Sequence, residues 1–272
     1  MRNNLDPATI GILLDVHRAA APLNCEPLLI GAFARDLWLR ATYELSVGRA
    51  TEDYDLALMV RSWDHYAQIR EALIKTGRYQ SDPNATQRLV NGQLSLDLVP
   101  FGGLETPPGS VAWPPDGATK MSTLGLKEAF AAAERLNLDD EISILVTTLP
   151  ALVALKLVAW KDRQKNKDAY DVILIAKHYA DAGNMSRLLG DEIKLVERYA
   201  DNQLAGAALL GVDIRSIVAP RTEESIKPIL FSAAQYGDKG RFIGPASNAL
   251  REFDDSDQRA VEIIEAILFG MS

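Results

Sequence analysis

The sequence predicts a mixed α+β fold: a sheet domain flanked by helices, followed by a helical C-terminal region. Three observations predict it. Short apolar runs such as "PLLIGAF" and "DYDLALMV" alternate with segments of helical spacing in the first half, as in a mixed sheet. "ATQRLVNGQLSLDLVPF" sets Asn-Gly between two alternating stretches, the mark of a hairpin. Beyond Pro150 the strand-like runs stop and every long segment has helical spacing. A boundary near residue 148 follows, with a sheet domain over 1–148 and a helical domain over 149–272 that completes a cleft.

Taken in order, "DPATIGILLDVHRAAA" opens with Asp-Pro and spaces Ile10, Leu13, Leu14 and His17 as a capped amphipathic helix. "PLLIGAF" is a strand ending at a glycine, and "ARDLWLRATYEL" is helical. "DYDLALMV" is the next strand. "SWDHYAQIREALIKTG" is a helix with Ser62 as its N-cap and Gly77 at its C-terminal end. After the hairpin, "GGLETPPGSVAWPPDG" is dense in Gly and Pro and reads as a loop with several turns. "LGLKEAFAAAERL" reads as helix and "EISILVTTL" as strand. The helices of the second half are "PALVALKLVAWKDRQ", "KDAYDVILIAKHYADAG", "MSRLLGDEIKLVERYADNQLAGAALLG" and "DDSDQRAVEIIEAILFGM".

Composition bounds the function. Of 272 residues, 47% are hydrophobic and 24% charged, the balance of a soluble globular protein. A formal charge of −8 supplies no global basic field for nucleic acid, so any such contact needs a local basic patch. Cys25 is the sole cysteine, which excludes an intrachain disulfide and argues against a Cys-based zinc site. No stretch of about 18 apolar residues suggests a membrane span, and the N-terminus has no long apolar core of a secretory signal. The cytoplasm is the expected compartment.

Chemistry concentrates in the acids. In "DYDLALMV" strand alternation puts Asp53, Asp55 and Ala57 on one face and Tyr54, Leu56 and Leu58 on the other. Carboxylates at i and i+2 stand about 7 Å apart, and rotamers turned together can grip a hard cation through oxygen. The plain alternative is a solvated strand end. Asp97 adds a third acid on a second strand, sharing its face with Gln93, Ser95 and Val99. Alone it reads as an edge charge against aggregation; together the three favour a metal site, and two-metal sites clamp attacking and leaving oxygens.

Gly31, between strand and helix, lets backbone approach a ligand and aims helix N–H groups at an anion such as phosphate. Arg35 one turn later, and the Thr51 hydroxyl before Asp53, are further phosphate candidates; otherwise they are a surface charge and a strand start. In the helical half, Lys156, Trp160 and Arg163 share a face. Lys156 amid apolar residues either snorkels to water or meets an anion. Asp168 and Asp171 follow three apart at the start of the next helix, where Asp168 reads as an N-cap and Asp171 as favouring the helix dipole.

A strand–Gly–helix turn, T-x-D-x-D opening a strand and a later lone Asp together resemble the nucleotidyltransferase fold of the polymerase-beta type. "LPALVALKLVAWKDRQKNKDAYDVILI", with its inward Lys and K-D-x-x-D pattern, is similar to the helical segment of the AbiEii/AbiGii nucleotidyltransferase-like toxins, as is "LDLVPFGGLETPPGSVAWPP" to a subgroup of them. The resemblance covers roughly residues 25 to 180. It implies that Asp53 and Asp55 bind Mg²⁺, with Mn²⁺ as the substitute, and that Asp97 is a metal ligand or the base for the incoming hydroxyl. It implies that Lys156 contacts nucleotide phosphates and that Asp168 is a further active-site carboxylate. Gly31, Ala32, Arg35 and Thr51 would line the triphosphate side. The partners implied are a nucleoside triphosphate, an RNA acceptor such as tRNA and a cognate antitoxin.

The first turn departs from the pattern: Gly31-Ala32 stands where Gly-Gly or Gly-Ser is usual, so the serine hydroxyl is absent. Two other readings stay open from the residues alone. One is transfer to a small molecule or protein; the other is a degenerate module that binds nucleotide without turning it over.

Overall fold

The computed structural model describes residues 5–45, 53–137, 143–235 and 240–272. The chain divides into two units, one of Met1–Leu37 with Gly48–Thr148 and the other of Trp38–Val47 with Leu149–Ser272. A cut at a single position leaves out the short segment 38–47, which goes with the second unit.

The first unit is built on strands β1 (Pro27–Ile30), β2 (Asp53–Val60), β3 (Gln80–Ser81), β4 (Arg88–Asn91), β5 (Leu94–Gly102), β6 (Ser110–Ala112), β7 (Lys120–Ser122), β8 (Glu134–Asn137) and β9 (Ser143–Val146). Its helices are α1 (Pro7–Ala20), α2 (Gly31–Asp36), α3 (Trp63–Lys75) and α4 (Leu126–Ala131). Seven strands form one mixed sheet in the order β3-β4-β5-β2-β1-β9-β8, and β6 and β7 form a separate antiparallel pair. β2 runs parallel to β5 and antiparallel to β1, while β9 is parallel to β1.

Local chemistry explains the borders. The Asp6 carboxylate accepts from Thr9 N at 2.9 Å and Pro7 takes the first helical position, so α1 starts where its unpaired amides are capped. Ser62 caps α3 by accepting from His65 N at 3.2 Å. At Gly92, φ is +61°, and the Gly92-Gln93 turn, one residue later than Asn-Gly, sets the β4–β5 register with Asn91 opposite Leu94. Alternation on β2 is as read: Tyr54, Leu56, Leu58 and Val60 are buried, while Asp53 is exposed and Asp55 half-buried.

Two segments differ from the sequence reading. The helix expected over "LGLKEAFAAAERL" ends at Ala131, and Glu134–Asn137 pairs with β9 as an edge strand. Tertiary pairing, with Leu136 buried in the sheet, overrides the helix preference of the alanine run. The Gly/Pro-rich segment is more ordered than a plain loop, because β6 pairs with β7 across it. Glu105 accepts from Gly102 N, Gly109 N, Thr123 Oγ1 and Lys127 Nζ, and Trp113 packs on Trp63 and Tyr66 at 5.1 and 5.8 Å between ring centres.

The second unit is helical: α5 (Leu149–Arg163), α6 (Asn166–His178), α7 (Met185–Leu188), α8 (Ile193–Tyr199), α9 (Asn202–Ile217), α10 (Pro220–Ala234), α11 (Ile243–Ser247) and α12 (Ser256–Gly270). The stretch read as one helix from Met185 breaks three ways, ending α8 at Ala200 with φ +50° and restarting at Asp201, which caps α9. α10 lay outside the reading; its internal Pro228 masks a 15-residue helix. Backbones of α9 and α12 meet at glycines: a Cβ on Gly211 would stand 3.0 Å from Gly270 Cα, and one on Gly270 would collide with Ala208 O. No helix among the described residues is long and apolar enough to cross a membrane.

Candidate active site

Register assembles the acids of the first unit. Asp55 on β2 is the direct neighbour of Asp97 on β5, and Asp53 is the neighbour of Ser95. Outward from β5, Asp97 faces Arg88 on β4; inward from β2, Asp55 faces Ile30 on β1. One row across four strands thus reads Arg88, Asp97, Asp55, Ile30, with adjacent strands about 4.8 Å apart and all four side chains on one face. Asp53 lies two residues from Asp55 on that face. Chain segments some forty residues apart bring their acids to one place by strand pairing alone.

Ile30 leads into Gly31, which begins α2 with φ +75°. A Cβ at this position would stand 2.7 Å from the Asp55 carboxyl carbon and closer still to Oδ2. Glycine is needed here for two reasons: the left-handed backbone, and the space that the Asp55 carboxylate fills. α2 itself has six residues and continues as wide π-type turns over Leu37–Thr42. Ala32 is its second residue. Arg35 is not a surface charge: it is 7% exposed, and its Nε and Nη2 both donate to Asp36 Oδ1 at 2.8 and 2.5 Å. Thr51 lies outside the described residues.

Arg88 was not singled out by sequence. Its Nε donates to Asp97 Oδ1 and its Nη2 to Asp97 Oδ2, both at 2.8 Å, a planar fork on a carboxylate. The Asp97 bond, against the opposing effect of burial, holds the guanidinium pKa above its ordinary value, with the Asp97 and Asp53 charges adding to it. The hairpin signal came close but not to the right partner: taking Asn91-Gly92 as the two-residue turn pairs residue 88 with Ser95, whereas the turn lies at Gly92-Gln93 and pairs it with Asp97.

A divalent cation is tested against these residues by their donors. Asp53, Asp55 and Asp97 offer oxygen only, on neighbouring strands and one face, which suits a hard cation. Among the described residues no three His, Cys, Asp or Glu side chains are gathered as a metal would hold them; the Asp97 carboxylate is turned to Arg88 instead. The donors suit a hard cation by their chemistry, while the cation that Asp97 engages in this arrangement is Arg88.

The second unit holds a different constellation. Lys156 on α5 is 6% exposed, Asp168 0% and Asp171 2%. Lys156 Nζ lies 2.5 Å from Asp171 Oδ2 and 3.5 Å from Asp168 Oδ1. Arg163 closes the cluster, its Nε and Nη2 donating to the two Asp168 oxygens at 2.8 and 2.7 Å. Lys156 therefore does not snorkel; two carboxylates of α6 receive its charge. Asp168 is not the N-cap of α6 either, since Lys165 holds that position and Asp168 sits in the first turn. Asp171, read as a dipole residue, is the nearer partner of Lys156.

With this geometry in place, the comparisons are direct. Residues 14–254 match the family described as nucleotidyl transferase AbiEii toxin, type IV TA system. The chain belongs to the AbiEii family. It is accordingly an enzyme of the nucleotidyl transferase class, within a toxin family of type IV toxin–antitoxin systems. Solved structures similar to this AbiEii-family chain include the antibiotic-resistance factor ANT(2″)-Ia in solution, 15% identical over 72% of this chain and 95% of that one, with a TM-score of 0.38. ANT(2″)-Ia in complex with adenylyl-2″-tobramycin is 14% identical over 74% and 96%, with a TM-score of 0.37. JHP933 from Helicobacter pylori is 13% identical over 98% and 94%, with a TM-score of 0.39. No curated protein matches the chain.

Proposed function

We propose that this enzyme moves a nucleoside monophosphate from a nucleoside triphosphate to an acceptor hydroxyl at the face bearing Asp53, Asp55 and Asp97. The single observation that supports the reading is the cross-strand row that sets Asp55 beside Asp97, with Asp53 on the same face. The α-phosphate is attacked by the acceptor oxygen, the bond to the pyrophosphate oxygen breaks, and the hydroxyl proton leaves to a base.

Asp53 and Asp55 would hold Mg²⁺ (or Mn²⁺), with Asp97 as third ligand or as the base. When bound, the cation supplies charge neutralisation at the phosphate. Asp55, wedged against Gly31, has its position fixed by backbone on one side. The Arg88 fork lowers the basicity of Asp97, so Asp97 is a better acceptor of the hydroxyl proton when Arg88 has released one of its oxygens. Gly31, Ala32, Arg35 and Thr51 are assigned to the triphosphate side, and Asp168 to the active-site acids, on the family's pattern. Lys156 is assigned to nucleotide phosphates on the same ground, and its ammonium would have to leave Asp171 to reach them.

The acceptor proposed is RNA such as tRNA, the partner a cognate antitoxin and the compartment the cytoplasm. Incubating the protein with Mg²⁺, each labelled triphosphate and total RNA should transfer label to RNA in wild type and not in Asp55→Asn. Label that reaches only small molecules or protein would replace the acceptor and keep the chemistry. No label on anything, with wild type matching the variant, would leave a nucleotide-binding module without turnover.

A further inference from the structure

The fork of Arg88 on Asp97 takes both oxygens of the third acid in the row. The pair is partly open to solvent, with side chains 30% and 14% exposed. Partial exposure leaves the pair within reach of competing ions, although its bidentate geometry makes it firmer than an ordinary surface pair. A cation that takes the same lone pairs of Asp97 competes with this guanidinium, because the bidentate arginine engages one lone pair on each oxygen and brings a like charge to the site. A displaced guanidinium does not vanish from the site. It remains on β4, next to the same face, with five donors in a plane suited to phosphate oxygens.

We propose that Arg88 occupies the place of a divalent cation on Asp97 and exchanges, when the cation binds, onto the polyphosphate of the incoming nucleotide. The inference rests on the reading of Asp53, Asp55 and Asp97 as the cation site. It makes cation and polyphosphate binding mutually reinforcing: each takes one half of a pair that the empty protein keeps closed. No covalent step is involved. Cation binding without polyphosphate opposes the Arg88–Asp97 pair, and polyphosphate binding without cation does the same.

The test measures Mn²⁺ binding by electron paramagnetic resonance, without nucleotide, in wild type, Arg88→Gln, Arg88→Lys, Asp55→Asn and the double variant Arg88→Gln/Asp97→Asn. Thermal melting reports whether each is folded. Arg88→Gln should bind Mn²⁺ roughly tenfold tighter than wild type, within the usual range of coupling between linked sites. Arg88→Lys, which keeps the charge and loses the fork, should fall between, and it carries the test should the glutamine variant fail to fold. The double variant should lose the gain. With Mn²⁺ saturating, Arg88→Gln should bind inorganic tripolyphosphate several-fold more weakly.

A cross-strand staple with no other role would lower the melting temperature and leave Mn²⁺ affinity unchanged, which would overturn the exchange while Asp55→Asn still abolished binding. Mn²⁺ binding by none of the proteins would overturn the cation site itself and the exchange with it.

Discussion

The two units carry the same kinds of side chain in opposite surroundings. On the sheet, Asp53 is exposed and Asp55 and Asp97 half-buried, and a partly exposed arginine answers Asp97. In the helical unit Lys156, Asp168 and Asp171 are all buried, with the lysine paired to both acids. Burying charges costs several kcal/mol per ion and is tolerated only when each has a good partner. The helical cluster meets that condition and is expected to hold structure. The sheet row leaves its charges near solvent, where partners can change, as a reaction centre requires. Charge in a sequence is therefore not one signal but two, separated by burial.

The largest effect that can break this contrast is in the helical unit. Asp171→Ala removes the nearer partner of a buried ammonium, and such losses cost about 3–5 kcal/mol. The denaturation midpoint should fall accordingly. The double change Lys156→Met/Asp171→Leu replaces the pair by apolar groups of similar size and should recover most of the loss, since Asp168 keeps Arg163. A folded double variant that has lost nucleotidyl transfer would support the phosphate role proposed for Lys156. One that retains transfer confines the cluster to structure.

Next comes the sheet row, where the contrast predicts loss of rate without loss of fold. Asp55→Asn keeps the shape and removes the charge. Transfer should fall by roughly 10²–10³-fold, the scale of losing one electrostatic contact to a transition state, while the melting temperature stays close to that of wild type. A large drop in stability with intact turnover would reverse the assignment of roles.

The sequence made the sheet row legible to a degree that the helical cluster was not. Strand alternation has a period of two, so the face of Asp53 and Asp55 follows from counting, and Asn91-Gly92 marks the β4–β5 hairpin, although the turn itself is Gly92-Gln93 and shifts the register from what Asn-Gly alone would give. Counting does not say that β2 lies beside β5 with Asp55 level with Asp97, because that neighbour relation joins strands far apart in the chain. Nor does it separate a lysine that reaches water from one that meets two acids, since Lys156 has the same apolar flanks in either case. The strand at Glu134–Asn137 was hidden for a related reason: alanine-rich helix preference is local, and the partner that overrides it is β9.

Gly31 tests whether the sheet row is shaped by backbone or by charge. Its φ of +75° alone makes alanine there unfavourable, and an added Cβ would press on the Asp55 carboxylate. Gly31→Ala should therefore cost about 1–3 kcal/mol, the range for a side chain held in a sparsely populated backbone region. The two causes separate in a double-mutant cycle. With Asp55→Gly the whole side chain is gone, including the Cβ 2.8 Å from the added one, and only the backbone cost remains, so a smaller loss from Gly31→Ala in that background measures the steric part. If the loss is the same in both backgrounds, the carboxylate yields freely and Gly31 serves the turn alone. If it shrinks, the glycine exists to seat Asp55, and the absence of serine at Ala32 matters less to this site than the absence of a Cβ one residue earlier.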